Sequence, residues 1–278
     1  GRNVLGAKGS AGHILFPDSY ALDPMIIAEK IGKILIEEGC VSERLTASMS
    51  RIEQAKQANN APTLATRLPY FCSGCPHNSS TKVPEGSRAY AGIGCHYMVQ
   101  WMDRSTLGFT QMGGEGANWI GESLFSNRDH VFQNIGDGTY NHSGIQAIRA
   151  AVAAETTMTY KILFNDAVAM TGGQSNDGGL NAARIVQEML GIGVQNLTVV
   201  YDEKEDVRAR DFPAGVDMLP REKLQEVQNK YRDISGVSVI VYVQTCAAEK
   251  RRRRKRGTFS DPAERLVINP SVCEGCIL

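Results

Sequence analysis

The sequence predicts an α/β fold with a mostly parallel sheet and helices on both faces of that sheet. Two observations lead to this prediction. Short apolar runs of strand length alternate along the chain with longer segments whose apolar residues recur at helical spacing. The residues best suited to chemistry follow directly after several of the apolar runs, which is where ligands bind on parallel sheets.

The first 60 residues predict two helices and no site. Residues 22–38 carry apolar side chains at helical spacing and end at Gly39, a residue typical of a helix C-terminus. Residues 42–57 form a second helical pattern that is polar on most faces, and Pro62 soon follows it. We interpret residues 1–60 as a connector from a preceding domain.

Residues 61–248 carry the alternating pattern and are predicted to form one domain. Residues 249–278 include seven consecutive basic residues at 250–256, which we interpret as a solvated linker leading to the start of a further cysteine-containing segment. Strands are predicted at 88–93, 131–135, 160–164, 197–201 and 237–243, and helices at 117–125, 145–154, 179–190 and 221–232.

The amino-acid composition argues against a nucleic-acid-binding protein and against a membrane-spanning one. The 278 residues are 42% hydrophobic and include 30 basic and 30 acidic side chains, so the balance of charge argues against a nucleic-acid partner. No apolar run approaches the roughly 18 residues of a membrane span, and no signal peptide is visible, so a cytoplasmic location is expected. A chain that begins at Gly1 and ends just after Cys276 is expected to be a piece of a longer polypeptide.

The stretch Gly136, Asp137, Gly138 and Thr139 follows a predicted buried strand and precedes a predicted helix, for which Ser143 is the expected N-cap. A glycine-rich turn that leads into a helix N-terminus favours a phosphate, because free N–H groups and the helix dipole point at it. Asn165 lies 28 positions after Asp137, at the end of the next predicted strand. The two oxygen ligands suit Mg²⁺. A lone Gly-Asp-Gly is otherwise typical of a solvent-facing turn.

Seven cysteines in a chain without a secretory signal indicate ligands or free thiols. The pair Cys72 and Cys75 is compatible with a redox dithiol, with half of a zinc site or with half of an iron–sulfur site. Cys95 and Cys246 follow two predicted strands on the edge where the Gly-Asp-Gly turn falls. Four cysteines at that edge would suit an iron–sulfur cluster.

The Gly-Asp-Gly turn followed by Asn165 resembles the diphosphate-binding domain of thiamine diphosphate enzymes. That resemblance implies that Asp137, Asn165 and the carbonyl of Ala167 hold Mg²⁺. The cysteine pattern resembles the 2-oxoacid:ferredoxin oxidoreductases, and within them the indolepyruvate ferredoxin oxidoreductases, over most of residues 61–278. It implies a [4Fe–4S] cluster on Cys72, Cys75, Cys95 and Cys246. The implied cofactor contacts are Ile93, Gly94, Cys95, His96, Gly136, Asp137, Gly138, Thr139 and Asn165.

The function implied by this resemblance is thiamine diphosphate- and Mg²⁺-dependent oxidative decarboxylation of an aryl 2-oxoacid such as indolepyruvate. The acyl group would pass to coenzyme A and the electrons, through the cluster, to ferredoxin. An activating Glu is expected outside this chain, on an upstream pyrimidine-binding domain of the same enzyme, so the chain alone is expected to be inactive. A homo-oligomer is also implied. The alternatives are a non-redox thiamine diphosphate decarboxylase or synthase, and a zinc-stabilised binding module.

Some residues depart from this pattern. Some relatives carry a His in the segment that corresponds to residues 110–116, whereas this chain has Gln111 and Met112, which leaves its diphosphate contacts open. His96 stands where relatives often have Ser, and a buried, hydrogen-bonded role is expected for it. Cys273 and Cys276 match only the first half of a ferredoxin cysteine run, so they are expected to be disordered or unligated.

Overall fold

The structure is a computed structural model that describes residues 8–9, 12, 14–16, 22–59, 68–264 and 266–274. The chain divides into two compact units, Gly1–Arg67 and Leu68–Leu278. No helix in the described part of the chain is long and apolar enough to cross a membrane.

The first unit contains two helices at the predicted places, α1 (Pro24–Glu37) and α2 (Glu43–Asn59). Asp23 caps α1 by accepting a hydrogen bond from the Met25 amide at 2.6 Å. The two helices contact each other through an ion pair between Lys56 Nζ and Glu29 Oε2 at 2.6 Å.

The second unit is a six-stranded sheet with helices packed on it. Its strands are β1 (Ala89–Tyr90), β2 (Phe132–Gly136), β3 (Met158–Phe164), β4 (Asn196–Tyr201), β5 (Asp217–Pro220) and β6 (Val237–Val243). Its helices are α3 (His77–Ser80), α4 (Ala117–Glu122), α5 (Asp137–Thr139), α6 (Ile145–Ala153), α7 (Ala182–Gly191), α8 (Leu224–Arg232) and α9 (Ala247–Lys255).

All strand pairs are parallel, in the order β1-β2-β3-β6-β4-β5. Strand β6 therefore lies between β3 and β4, although it comes last in the chain. Alternate side chains of the central strands enter two different cores, as the two-residue period of a strand requires. Val239 and Val241 pack with α4, α6 and α7, whereas Ile240 and Tyr242 pack with α8. The predicted parallel sheet with helices on both faces is confirmed.

Several predicted elements differ from the structure. The strand expected at 88–93 pairs with β2 only over Ala89–Tyr90, because the next amide, Ala91 N, donates to Gly108 O instead. Ser143 is not an N-cap, since the helix already begins at Asp137 and passes through a π-helical turn, Tyr140–Gly144, into α6. The basic run predicted as a linker is mostly helical and forms part of α9. Strand β5 was not predicted.

Candidate functional site

The Gly-Asp-Gly turn lies at the carboxyl end of β2, where the chain turns directly into α5. Both glycines face neighbouring side chains, and Gly136 is the closer of the two. A Cβ on Gly136 would lie 3.2 Å from His96 Nε2, and one on Gly138 would lie 3.4 Å from Val168 Cγ2. The turn is therefore packed against two neighbouring segments and is not a free surface loop.

Asp137 ties the ends of β2 and β3 together. Its buried carboxylate accepts hydrogen bonds from the amides of Gly138 at 2.9 Å, Asn165 at 3.3 Å and Asp166 at 3.0 Å. The side-chain amide of Asn176 donates a fourth, at 2.9 Å. Burial raises the pKa of Asp137 to about 6, and these donors oppose the rise. A buried carboxylate of this kind is stabilised in its charged form by a nearby cation.

Asn165 and Ala167 lie in the same turn as Asp137. The Asn165 Oδ1 atom accepts a hydrogen bond from the Ala167 amide at 3.2 Å, and both residues are buried. Between them Asp166 adopts a left-handed backbone with φ of 56°, which is uncommon for a residue other than glycine. The two side chains predicted as Mg²⁺ ligands, together with Ala167, thus come from adjacent strand ends.

The donor chemistry at this turn fits Mg²⁺. Asn176 donates to Asp137 Oδ2, and its own Oδ1 is buried and has no hydrogen-bond partner within the described part of the chain. An uncompensated buried carbonyl oxygen beside a buried carboxylate is suited to a hard cation or to one of its waters. No group of three or more His, Cys, Asp or Glu side chains in the described residues is placed to hold a metal ion. Any cation here would therefore depend on amide and carbonyl oxygens as well as on Asp137.

The segment from Val168 to Gln174 closes into a small hairpin beside the turn. Val168 N donates to Gln174 O at 2.8 Å, and Gly173 N donates to Val168 O at 3.0 Å. The Thr171 hydroxyl donates to Gln174 Oε1 at 2.7 Å, and Gln174 Nε2 donates back to Thr171 O at 2.8 Å. These hydrogen bonds close the hairpin beside the turn.

The loop after β1 forms the neighbouring wall. The Thr139 hydroxyl donates to Ile93 O at 3.3 Å, which joins that loop to the Gly-Asp-Gly turn. The buried carboxylate of Glu115 accepts from Gly113 N at 2.7 Å and from Ile93 N at 3.5 Å. Burial raises the pKa of Glu115. The structure therefore brings Ile93, one of the predicted cofactor contacts, next to the turn.

His96 is buried beside the turn, and its ring meets that of His77 edge to face at 5.3 Å. Its Nδ1 atom has no hydrogen-bond partner among the described residues. Burial holds the pKa of His96 well below its ordinary value, and the nearby His77 and Lys161 act in the same direction. His96 is therefore buried, as expected. The hydrogen bond that was also expected is not formed at Nδ1 within the described residues. His142 is exposed by contrast, with Nδ1 2.8 Å from Ser143 Oγ.

The four predicted cluster cysteines lie near one another at this edge. Burial raises the pKa of the Cys75 thiol to about 12, and Cys246, Cys72 and Cys95 act in the same direction. All four are free thiols. Cys246 reaches this edge because β6 lies beside β3, which lets the Cys246 amide donate to Asn165 O at 3.0 Å. The donor set suits a cluster, although the sulfurs do not converge as a metal-binding group in the described residues.

The remaining cysteines lie elsewhere. Cys40 and Cys273 are exposed free thiols. Cys276, predicted with Cys273 to be disordered or unligated, lies outside the described residues.

Sequence reasoning missed two kinds of residue. Asn176 and Glu115 have no spacing signal, because only the folded loops bring them to Asp137 and Ile93. The arginines of α9 had a readable signal. Glu249 precedes Arg252 and Arg253 by three and four residues, which is the spacing of ion pairs along a helix.

The sheet and its turn are similar to those of thiamine diphosphate-binding domains. Residues 92–207 match the family model described as "Thiamine pyrophosphate enzyme, C-terminal TPP binding domain". The fold also resembles that of a solved 2-oxoglutarate:ferredoxin oxidoreductase from Magnetococcus marinus. The TM-score is 0.51 and the identity 17%, over 71% of this chain and 67% of the other. The predicted thiamine diphosphate-binding fold is therefore confirmed.

The particular relatives are indolepyruvate oxidoreductases. Residues 1–59 match the family model described as "Indolepyruvate oxidoreductase domain". The chain is 25% identical to the indolepyruvate oxidoreductase subunit IorA of Thermococcus kodakarensis and 24% identical to that of Pyrococcus abyssi. In both cases the match covers 95% of this chain and 41% of the relative. The resemblance stated from the motifs is confirmed, and the chain spans about two fifths of the length of these relatives.

Proposed function

We propose that this chain contributes the diphosphate-binding part of a thiamine diphosphate- and Mg²⁺-dependent oxidoreductase that decarboxylates an aryl 2-oxoacid such as indolepyruvate. The observation that carries the proposal is the turn in which Asp137 joins Asn165 across two strand ends. The match of residues 92–207 to a thiamine pyrophosphate-binding family supports it. So does the similarity to subunits named for indolepyruvate oxidoreductase.

In this proposal residues 61–248 form the cofactor-binding domain and residues 1–60 connect it to a preceding one. The residues that would hold Mg²⁺ are Asp137, Asn165 and, through its carbonyl, Ala167. The partly buried Asn176 orients Asp137 by donating to Oδ2. Thiamine diphosphate, when bound, supplies the electron sink for loss of CO₂. An iron–sulfur cluster on the four cysteines Cys72, Cys75, Cys95 and Cys246 would carry electrons onward.

The substrates and partners belong to the same proposal. They are the 2-oxoacid, coenzyme A and ferredoxin, together with a pyrimidine-binding domain of the same enzyme that supplies the activating Glu. The relative from Magnetococcus marinus was solved with 2-oxoglutarate, coenzyme A and succinyl-CoA bound, which supports this class of substrate.

The metal assignment is tested by titrating thiamine diphosphate into the protein with and without Mg²⁺. Asp137→Asn keeps the shape of the side chain but removes its charge, so Mg²⁺-dependent affinity is expected to fall more than about 100-fold. Asn165→Ala is expected to weaken binding as well. Asp177→Asn is the matched control, because Asp177 is an exposed carboxylate that follows Asn176 directly in the chain. Equal affinities for the Asp137 and Asp177 variants would reject the assignment.

The cluster is tested by anaerobic purification after iron and sulfide reconstitution. The wild-type protein is expected to show the broad visible absorption of an iron–sulfur cluster, and Cys246→Ser is expected to lose it. Cys40→Ser is the control, since Cys40 is an exposed free thiol in the other compact unit. A colourless wild-type protein that retains zinc would favour the zinc-stabilised module instead.

A further inference from the structure

The basic run starts as a helix that is fixed at the carboxyl edge of the sheet. Helix α9 begins right after Cys246, whose amide donates to Asn165 O at 3.0 Å. Lys250 Nζ then pairs with Glu205 Oε1 at 2.6 Å, and the two side chains are largely buried. Glu205 in turn accepts from the Thr245 amide at 3.0 Å. The first turn of α9 therefore has a defined position beside the end of β3.

Glu249 orients two arginines of this helix. Its side chain is 7% exposed and accepts from Arg252 Nη1 at 2.7 Å and from Arg253 Nε at 3.2 Å. A buried carboxylate that holds both guanidinium groups limits the rotamers they can adopt. Both side chains consequently point at the loop that follows β3.

Arg253 contacts the residue between the two proposed Mg²⁺-binding positions of that loop. Its Nη2 atom donates to Asp166 Oδ2 at 2.7 Å and to Asp166 O at 3.3 Å. The amide of Asp166 donates at the same time to Asp137 Oδ2 at 3.0 Å. Asp166 thus connects Arg253 directly to the central carboxylate, and it does so in a left-handed conformation with φ of 56°.

Arg252 packs on the other end of the same loop. A Cβ placed on Gly173 would overlap the Arg252 guanidinium and would lie 2.8 Å from Glu249 Oε2. Gly173 also has φ of 80°, a conformation that favours glycine. The backbone of the loop can approach the arginine only because this position lacks a side chain.

We infer that Glu249, Arg252 and Arg253 form a positioning group that fixes the Asn165–Gln174 loop in the shape that holds Mg²⁺ and the diphosphate. This inference rests on the proposed function, because that proposal assigns Mg²⁺ to the loop. The physical reason is that the left-handed backbone of Asp166 is unfavourable for a residue other than glycine and persists only where its surroundings hold it. The charge-assisted hydrogen bonds from Arg253 to Asp166 offset this cost.

Hydrogen exchange measured by mass spectrometry on a peptide that covers residues 165–174 tests the inference without a cofactor. Arg253→Ala is expected to speed exchange in this peptide about tenfold or more, because the charge-assisted bonds that close the loop are lost. Arg251→Ala is the matched control, since Arg251 is exposed on the same helix, and it is expected to leave exchange unchanged. Unchanged exchange in the Arg253 variant would overturn the inference.

Asp166→Asn covers the case in which the Arg253 variant does not fold. Asn tolerates the left-handed conformation but cannot form the ion pair, so the loop peptide is expected to exchange faster here also. Normal protection of the loop in Asp166→Asn would count against the inference in the same way. Arg253→Lys keeps one charge without the two-pronged geometry and is expected to recover only part of the protection.

Titration of thiamine diphosphate with Mg²⁺ separates this inference from the proposed function. We expect affinity to fall about tenfold or more in Arg253→Ala and to be unchanged in Arg251→Ala. A loss of affinity in Asp137→Asn but none in Arg253→Ala would overturn the positioning role alone. No Mg²⁺-dependent binding to the wild-type protein would reject the proposed function, while the exchange experiment would still decide whether α9 fixes the loop.

Discussion

His130 shows how burial of one side chain makes the stability of this fold depend on pH. It lies two residues before β2, with Nε2 2.7 Å from Thr159 Oγ1 and its ring edge to face with Phe132. Its Nδ1 atom is buried without a partner in the described residues. Burial lowers the pKa of His130 to about 4 from an ordinary 6.5, so the folded protein disfavours the charged ring.

The sign of the effect follows from which state binds the proton. Between pH 6.5 and pH 4 the unfolded chain binds a proton at His130 that the folded chain does not, so stability falls as the pH falls. We expect the free energy of unfolding to drop by about 2 kcal/mol between pH 7 and pH 5 because of this residue.

Urea unfolding at both pH values measures this, with His130→Gln as the reference. Gln keeps a hydrogen-bonding group toward Thr159 and does not titrate, so the variant is expected to lose about 2 kcal/mol less than the wild type over the same range. Equal losses in the two proteins would show that His130 is not the titrating group.

The residues of the candidate site differ in how far the sequence predicts them. Asp137 and Asn165 follow directly after strands, and parallel strands put their carboxyl ends on one edge, so their proximity was predictable. Asn176 lies beyond an intervening hairpin, and only the fold of that hairpin brings it to Asp137. No periodic pattern encodes such a contact.

Among the helices and strands, those with a strong local sequence pattern were predicted and those with a weak pattern were missed. The apolar runs of β3, β4 and β6 are buried between helices, and continuous apolar sequence is the signature of such strands. Strand β5 reads Asp217 to Pro220 and was missed, because it is an edge strand where proline is tolerated and little apolar surface is needed. Helix α9 was missed because its run of basic residues was interpreted as a solvated linker, although the segment also contains helix-forming residues.

The start of α4 depends on one glycine. Gly116 precedes this helix with φ of 90°, and a Cβ there would overlap the hydroxyl of Tyr160 and lie 2.6 Å from its Cζ atom. Tyr160 also donates to Glu115 O at 3.1 Å, so it cannot move without losing a buried hydrogen bond. Gly116→Ala is therefore expected to destabilise the protein by about 2–4 kcal/mol.

Gly121 in the same helix is the matched control. It lies in the last turn of α4, one residue before the end, and a Cβ there would meet nothing within 4 Å. Gly121→Ala is expected to be neutral or to stabilise the protein by up to about 1 kcal/mol, because alanine is the better helix former. Chemical denaturation of both variants tests the pair. A Gly116 variant as stable as the Gly121 variant would contradict the packing described for Tyr160.

For the whole molecule, the order of the strands in the sheet determines which segments lie next to one another at the candidate site. Because β6 lies between β3 and β4, the last strand in the chain delivers Cys246 beside Asn165 and starts α9 next to the same loop. The sequence predicted which residues follow strands, but it carries no local signal for strand order. The common location of the four cysteines was therefore a hypothesis from the sequence, and the contact between α9 and the loop was not foreseen at all.

The two compact units differ in how they are held together, which leads to a prediction about their independent stability. In Gly1–Arg67, Leu15 and Gly32 are the buried residues among those described, and α1 and α2 meet through Gly32 under Met49 and through the ion pair of Lys56 with Glu29. Helices of this length are marginal in water without an apolar core. The Leu68–Leu278 unit has a sheet buried on both faces.

We therefore expect a polypeptide of residues 68–278 to unfold cooperatively on heating, and one of residues 1–67 to show a shallow, non-cooperative loss of helicity. Circular dichroism of the two polypeptides measures this at several concentrations, so that self-association is detected. A sharp, concentration-independent transition for residues 1–67 would show that this unit has a core of its own.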